Sequence, residues 1–116
     1  MPQILIDHSP ELALDRAALA AELPRAIVEV IDTTVADCKT VFRPAPYAVA
    51  GDGASGEAVV LVEVKILAGR TVEQRAALTA GVLDVLRARI AVPAALGVQV
   101  TELDRDTYRF VHHPGR

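Results

Sequence analysis

Apolar and polar residues along this chain follow two patterns, one typical of strands and one typical of helices. In the segment AVVLVEVKIL at 58–67 every second residue belongs to one apolar face, which predicts a strand with that face buried. The residues of this face are Val60, Val62, Val64 and Ile66. A helical stripe follows, with apolar residues at steps of three and four: Leu78, Val82, Val85, Leu86 and Ile90. Thr71 and Gln74 predict a capping box at the start of this helix, and Pro93 predicts its end.

The first half of the chain repeats this plan. The residues RAAL begin at Arg16 and again at Arg75, so the two copies lie 59 positions apart (75 − 16). A matching helical stripe runs through the first copy: Leu19, Leu23, Ile27, Val30 and Ile31. Pro24 lies inside this stripe. Because proline has no backbone N–H and clashes with the preceding turn, it predicts a kink or a division of the helix.

Strand-like runs flank both predicted helices. The four runs are 4–6, 38–42, 58–67 and 97–103. The order β-α-β, β-α-β predicts two parallel crossover units that share one four-stranded sheet, with both helices on one face. We therefore expect an α/β (α+β) fold in a single domain, residues 1–116, with halves at about 1–50 and 57–110.

The second face of the predicted sheet points to an oligomer. In the strand at 58–67 this face carries Leu61, Glu63, Lys65 and Leu67, a mixture too apolar to meet water freely. Hydrophobic residues make up 52% of the chain although aromatic residues make up only 3%, which favours an aliphatic core and an additional buried surface between subunits.

Composition excludes several classes of function. The net charge is −3 and the lysines and arginines are scattered, so we expect no binding to nucleic acid. No run of 18 apolar residues is present, and no secretory signal is recognised at the start, so we expect no membrane association. Cys38 is the single cysteine, which excludes a disulfide framework and fits a reducing cytoplasm.

The segment GDGASG at 51–56 satisfies the spacing G-x-G-x-x-G but does not predict a dinucleotide site. That motif needs a helix directly after it, because the helix N-terminus holds the pyrophosphate, whereas a strand follows here. We interpret the segment as a loop between strands.

The remaining polar candidates are weak, and no organic cofactor or metal is predicted. His112 and His113 are adjacent, so on an extended segment they point to opposite sides and cannot easily bind one metal. His8 follows the first strand and is interpreted as an exposed loop histidine rather than a pocket residue. Cys38 begins an apolar strand without an evident base beside it, which favours a buried structural thiol.

Pro2 and two arginines are the candidate functional residues. If Met1 is removed, Pro2 carries a secondary amine that can act as a base near neutral pH; otherwise it is an ordinary proline at the first position of a strand. Arg70 directly precedes the helix cap, where free N–H groups and the helix dipole favour an anion, although a solvated loop arginine is equally consistent. Arg43 ends an apolar strand, where it is either a second anion ligand or a surface residue.

Taken together, these features resemble the 5-carboxymethyl-2-hydroxymuconate isomerase family of the tautomerase superfamily, which includes 4-oxalocrotonate tautomerase and macrophage migration inhibitory factor. The resemblance runs nearly end to end. Four segments carry it: MPQILIDHS, FRPAPYAVAGDG, VVLVEVKILAGRTVEQR and ELDRDTYRF.

This resemblance implies a homotrimer with an active site near each amino-terminal proline. It implies Pro2 as the general base of a cofactor-free isomerase, and Arg43 and Arg70 as the residues that bind an unsaturated 2-hydroxy or 2-oxo dicarboxylate. Two alternatives stay open. One is a different reaction on the same fold, such as hydration or phenylpyruvate-type tautomerisation. The other is a non-catalytic trimeric binding protein in which Met1 is retained.

Overall fold

The computed structural model describes residues 1–116 and contains four strands, two helices and a short 3₁₀ helix. The strands are β1 (Gln3–His8), β2 (Lys39–Pro44), β3 (Ala58–Leu67) and β4 (Ala94–Leu103). The helices are α1 (Arg16–Val28) and α2 (Val72–Arg89), and the 3₁₀ helix spans Val35–Asp37. The order along the chain is therefore β-α-β in each half, as the hydrophobic pattern predicts.

The four strands form one sheet in the order β2-β1-β3-β4. Strands β1 and β2 are parallel, β3 and β4 are parallel, and the two units meet through the antiparallel pair β1 and β3. Both helices pack on the same face, so the predicted fold class is confirmed. Neither α1 nor α2 has the length and hydropathy that a membrane-spanning helix requires.

The strand register reveals an internal twofold repeat. Gln3 pairs with Lys39 in the first unit and Ala58 with Ala94 in the second, and both separations are 36 residues (39 − 3 and 94 − 58). At the junction of the two units, Ile4 lies directly opposite Val64. The two halves of the sheet therefore repeat the same strand pairing and meet at the β1–β3 contact.

The core lies between the sheet and the two helices, and it is entirely aliphatic. Alternate residues of β1 and β3 face it, because side chains on a strand point to opposite faces in turn. Its 13 members are Ile4, Ile6, Leu19, Leu23, Ile27, Ile31, Val60, Val62, Val64, Ile66, Leu78, Val82 and Leu86. Burying each leucine or isoleucine side chain contributes about 1.5–3 kcal/mol.

The opposite face of the sheet, called here the open face, is not covered by any part of the chain's two helices. Leu61 of β3 is 53% exposed on this face, and Val41 of β2 is 45% exposed. Glu63 accepts a hydrogen bond from the Thr101 hydroxyl of β4 across the same face. The open face is therefore apolar at its centre, with polar groups beside the apolar side chains.

Helix α1 is continuous through Pro24, so the predicted division of this helix is wrong. The one backbone hydrogen bond that Pro24 cannot donate would go to Ala20, which lies on the exposed side of the helix where water can replace the donor. The Pro24 ring itself is buried against the core. The helix ends at Val28, earlier than the apolar stripe, but Ile31 turns back and is still buried in the core.

His8 is the last residue of β1 and only 3% exposed, so its interpretation as an exposed loop histidine is wrong. The strand continues through Asp7, and the alternation of strand side chains then places His8 on the core face with Ile4 and Ile6. Its Nδ1–H donates to the Ser9 carbonyl at 2.9 Å, whereas its Nε2 has no hydrogen-bond partner. The segment 51–56 is a loop of turns before β3, as predicted.

Candidate active site

The strand order gathers four chain segments at one end of the sheet, called here the Pro2 end. Strands β1 and β2 begin at this end and β3 and β4 finish there, because β1 is antiparallel to β3 and parallel to β2. The amino terminus, the segment before β2, the turn from β3 to α2, and the residues after β4 are therefore neighbours. Between them lies a cleft of about 460 Å³.

This amino-terminal cleft is lined mainly by polar and charged side chains. Its volume lies within the range of small-molecule sites. The residues that matter for its chemistry are Met1, Asp32, Asp37, Gly69, Arg70 and Arg105.

Pro2 is buried directly behind Met1 and does not itself line the cleft. Its ring is fully buried, and its carbonyl accepts a hydrogen bond from the Lys39 backbone N–H at 3.0 Å, which ties the amino terminus to β2. Met1, which is bonded to the Pro2 nitrogen, lines the cleft. The Pro2 nitrogen is therefore held next to the cleft by a buried ring and a backbone hydrogen bond.

The surroundings of the amino terminus disfavour a positive charge. Burial lowers the pKa of the Met1 α-amino group below its usual value, and the charges of Lys39 and Arg70 lower it further. Asp37 acts in the opposite direction, but the net effect is a lowered pKa. An amine in this position is more readily neutral, and so more available as a base, than one in water.

Arg70 is fixed by two backbone carbonyls at the mouth of the cleft. Its Nη1 donates to Leu67 at 3.0 Å and its Nη2 donates to Asp32 at 3.2 Å. The residue directly precedes Thr71, and the predicted capping box between Thr71 and Gln74 is present. Arg70 makes no ion pair with any carboxylate of the chain, so its charge is available to an anion in the cleft.

Arg43 is not near Pro2 within its own chain. It lies opposite Asp7, four strand positions from Lys39, which is roughly 13 Å along β2. Its Nε and Nη2 donate to the two oxygens of Asp7 at 2.9 Å and 2.7 Å, and this bidentate contact raises the pKa of Arg43. One chain therefore brings Pro2 and Arg70 together but leaves Arg43 at the other end of the sheet.

The carboxy-terminal segment crosses β1 and β2 beside the cleft. Gln3 donates to the Tyr108 hydroxyl at 3.3 Å, and the Lys39 ammonium lies 3.7 Å from the centroid of the Phe110 ring. His112 Nε2 lies 3.2 Å from a carboxylate oxygen of Asp37, and this contact lowers the pKa of Asp37.

Cys38 is a half-buried thiol next to the amino terminus. Its sulfur donates to the Thr34 carbonyl at 3.5 Å, and burial raises its pKa, so the thiolate form is disfavoured. No group of three or more histidine, cysteine, aspartate or glutamate side chains is arranged to bind a metal ion.

Sequence reasoning missed three charged residues near the amino terminus: Asp37, Lys39 and Arg105. The signal for Arg105 is topological. Because β3 and β4 are parallel and Leu67 pairs with Leu103, the residues directly after β4 must lie beside those directly after β3. Arg105 follows the end of β4 by two residues and therefore lies close to Arg70.

Solved structures with the same architecture are found over nearly the whole chain. A 5-carboxymethyl-2-hydroxymuconate delta-isomerase has a TM-score of 0.78 and 18% identity, with 97% of this chain and 89% of that chain covered. A fused 4-OT symmetric trimer has a TM-score of 0.75 and 24% identity, with 89% and 86% covered. A malonate semialdehyde decarboxylase has a TM-score of 0.74 and 24% identity, with 95% and 89% covered.

The chain has the tautomerase fold. No protein-family profile matches the sequence, and no curated protein matches it significantly. The structural neighbours include both an isomerase and a decarboxylase, so the tautomerase fold alone leaves the reaction open.

Proposed function

We propose that this protein is a cofactor-free isomerase or tautomerase that moves a proton within an unsaturated 2-hydroxy or 2-oxo dicarboxylate. One observation carries the proposal: Met1, which is bonded to the Pro2 nitrogen, and the unpaired guanidinium of Arg70 line the same cleft. A base and an anion ligand within one small cleft are the groups that such a proton transfer requires.

In this mechanism Met1 is removed and the Pro2 amine is the general base. The neutral amine takes the proton of the 2-hydroxyl group, which leaves a conjugated dienolate and a prolinium ion. The prolinium ion then returns the proton to a carbon of the conjugated system, which gives the 2-oxo isomer. Arg70 binds a carboxylate of the substrate. Its positive charge also stabilises the negative charge that develops on the 2-oxygen of the dienolate.

Arg43 enters this scheme from a neighbouring copy of the chain. Within its own chain it is about 13 Å from the Pro2 end, so only another subunit can bring it to the cleft. We propose a homotrimer in which the open face, with exposed Leu61 and Val41, packs on its neighbours. The symmetric trimer among the structural neighbours supports this assembly.

A non-catalytic binding protein is the second candidate. While Met1 is attached, the Pro2 nitrogen is an amide with no basic lone pair, but Arg70 can still bind anions. The two candidates differ in whether Met1 is still attached to Pro2, and intact mass measures this directly.

The test combines intact mass with ultraviolet spectroscopy of 2-hydroxymuconate, a conjugated 2-hydroxydienoate with two carboxylates. Protein that lacks Met1 should isomerise this compound, and protein that retains Met1 should not. Pro2→Ala should lower kcat/KM by about 100-fold, the usual contribution of a positioned general base. Pro10→Ala, at an exposed position after β1, is the matched control and should leave the rate unchanged. Because the alanine variant still carries a primary amine once Met1 is removed, an unchanged rate for Pro2→Ala would show that the secondary amine of proline is not required, and an equal rate for protein that retains Met1 would exclude the terminal amine as the base.

A further inference from the structure

Arg105 is a second arginine of the same cleft, and it is held by the same turn as Arg70. Its Nε–H donates to the Ala68 carbonyl, next along the chain from the Leu67 carbonyl that Arg70 uses. The Arg105 guanidinium lies against Gly69, with its Nε 3.5 Å and its Nη2 3.7 Å from the place where a Cβ would stand. The turn at residues 67–70 therefore positions two guanidinium groups from different parts of the chain.

Both guanidinium groups lack a protein counter-ion. The arginines that form ion pairs are Arg43, Arg75 and Arg89. Asp32 and Asp37 also line the cleft, but neither carboxylate lies within ion-pair distance of Arg70 or Arg105. Asp37 instead accepts hydrogen bonds from His112 and from the Thr34 hydroxyl. Two like charges beside one turn repel each other, and an anion between them would remove that repulsion.

Arg105 also keeps the donors that a carboxylate needs. A guanidinium has N–H donors on Nε and on both Nη atoms, and Arg105 uses only its Nε–H within the chain. Both Nη groups are free, and together they form a planar pair that fits the two oxygens of a carboxylate.

We propose that Arg105 binds the second carboxylate of the substrate and makes the cleft selective for dicarboxylates over monocarboxylates. The inference deepens the proposed function, because it names the residue that recognises the far end of the same substrate. It assigns both carboxylate contacts of one subunit to Arg70 and Arg105, and it requires no contribution from Arg43 for this selectivity.

The test measures binding, so it does not depend on the catalytic step. Calorimetry on the full chain compares 2-oxoglutarate with 2-oxopentanoate, which has the same five-carbon chain but no second carboxylate. Wild-type protein should bind 2-oxoglutarate more tightly. Arg105→Met should weaken 2-oxoglutarate binding by about 10-fold or more, the loss expected for a hydrogen-bonded charge pair, and should change 2-oxopentanoate binding by less than about twofold.

Arg109→Met is the matched control, because Arg109 lies on the same segment but donates only to the nearby carbonyls of Asp106 and Tyr108. It should leave both affinities unchanged. Arg105→Lys keeps the charge without the planar pair of donors, so it should restore only part of the selectivity. All variants are compared in the same state of Met1 removal, which intact mass verifies, and thermal unfolding verifies that each one is folded.

Two results would overturn the inference. Equal weakening of both ligands by Arg105→Met would mean that Arg105 only supports the turn, and equal wild-type affinity for both ligands would mean that no second carboxylate site exists. Neither result bears on Pro2. Conversely, dicarboxylate selectivity in a protein that fails to isomerise 2-hydroxymuconate would contradict the proposed reaction but not the role of Arg105.

Discussion

At the scale of single residues, burial and the nearby positive charges of Lys39 and Arg70 lower the pKa of the terminal amine, so a larger fraction of it is neutral at neutral pH. Lys39 is held in place on two sides, because its ammonium donates to the Asp37 carbonyl at 2.7 Å and contacts the Phe110 ring. From there its charge lowers the pKa of the terminal amine. We expect the same positive charge to act on the Pro2 amine once Met1 is removed, because the Pro2 nitrogen is in the residue directly bonded to Met1.

This arrangement predicts how Lys39 affects the pH dependence of the proposed reaction. The neutral amine is the active form, so kcat/KM rises as the pH rises through the pKa of Pro2. Lys39→Met removes a nearby positive charge, which raises that pKa, so the rising limb should move to higher pH. The measurement is a pH profile of 2-hydroxymuconate isomerisation. Arg25→Met, on the exposed side of α1, is the control and should not move the limb. A limb that stays in place for Lys39→Met would show that Lys39 does not influence the base.

At the scale of elements, the turn from β3 to α2 positions both arginines of the candidate site. Gly69 has a φ of 120°, a backbone conformation that residues with a side chain rarely adopt. The same residue leaves room for the Arg105 guanidinium. The capping box of Thr71 and Gln74 then begins α2 directly after Arg70, so the position of both arginines depends on this turn.

Two glycine substitutions should change the free energy of unfolding in opposite directions, and together they test whether the conformation of Gly69 is specific to this turn. Gly69→Ala should lower the free energy of unfolding by about 1–3 kcal/mol, because alanine is strained at this φ. Gly81→Ala should raise it by roughly 0.5–1 kcal/mol, because Gly81 lies inside α2 and a Cβ there meets no atom within 4 Å. Urea unfolding, compared at equal protein concentration, measures both. A neutral Gly69→Ala would mean that the turn relaxes at no cost.

Elements were predictable from the sequence where local pattern determines them. The strand at 58–67 and the capping box at Thr71 match the structure because alternation and capping act over a few neighbouring residues. The fate of Pro24 was not predictable, since it depends on which side of α1 faces water. The antiparallel contact of β1 with β3 was not predicted either, and it is this contact that places Arg70 and Arg105 at the Pro2 end.

At the scale of the whole molecule, the same topology separates Arg43 from Pro2. Because β1 and β2 are parallel, their starts lie together at the Pro2 end, and Arg43 lies near the end of β2 with Asp7. No rearrangement of side chains within one chain spans the roughly 13 Å between them. A role for Arg43 in substrate binding therefore requires a neighbouring subunit, and it requires that the contact with Asp7 be broken or shared.

Mixed oligomers test whether Arg43 acts in the active site of a neighbouring subunit or has no role in the reaction. If Pro2→Ala and Arg43→Ala chains are each nearly inactive alone, they can be unfolded together and refolded at equal amounts. If Arg43 acts across a subunit interface, a site with an intact Pro2 can meet an intact Arg43 from a Pro2→Ala neighbour, and about one quarter of the wild-type activity should return on random mixing. If both groups had to come from one chain, no mixed site would be complete and activity would stay at the level of the separate variants.

Pro10→Ala mixed with Pro2→Ala is the control, because the Pro10→Ala chains carry both Pro2 and Arg43 and should give activity in proportion to their share of the mixture. Full activity of Arg43→Ala on its own would instead assign Arg43 to its ion pair with Asp7 and leave carboxylate binding to Arg70 and Arg105.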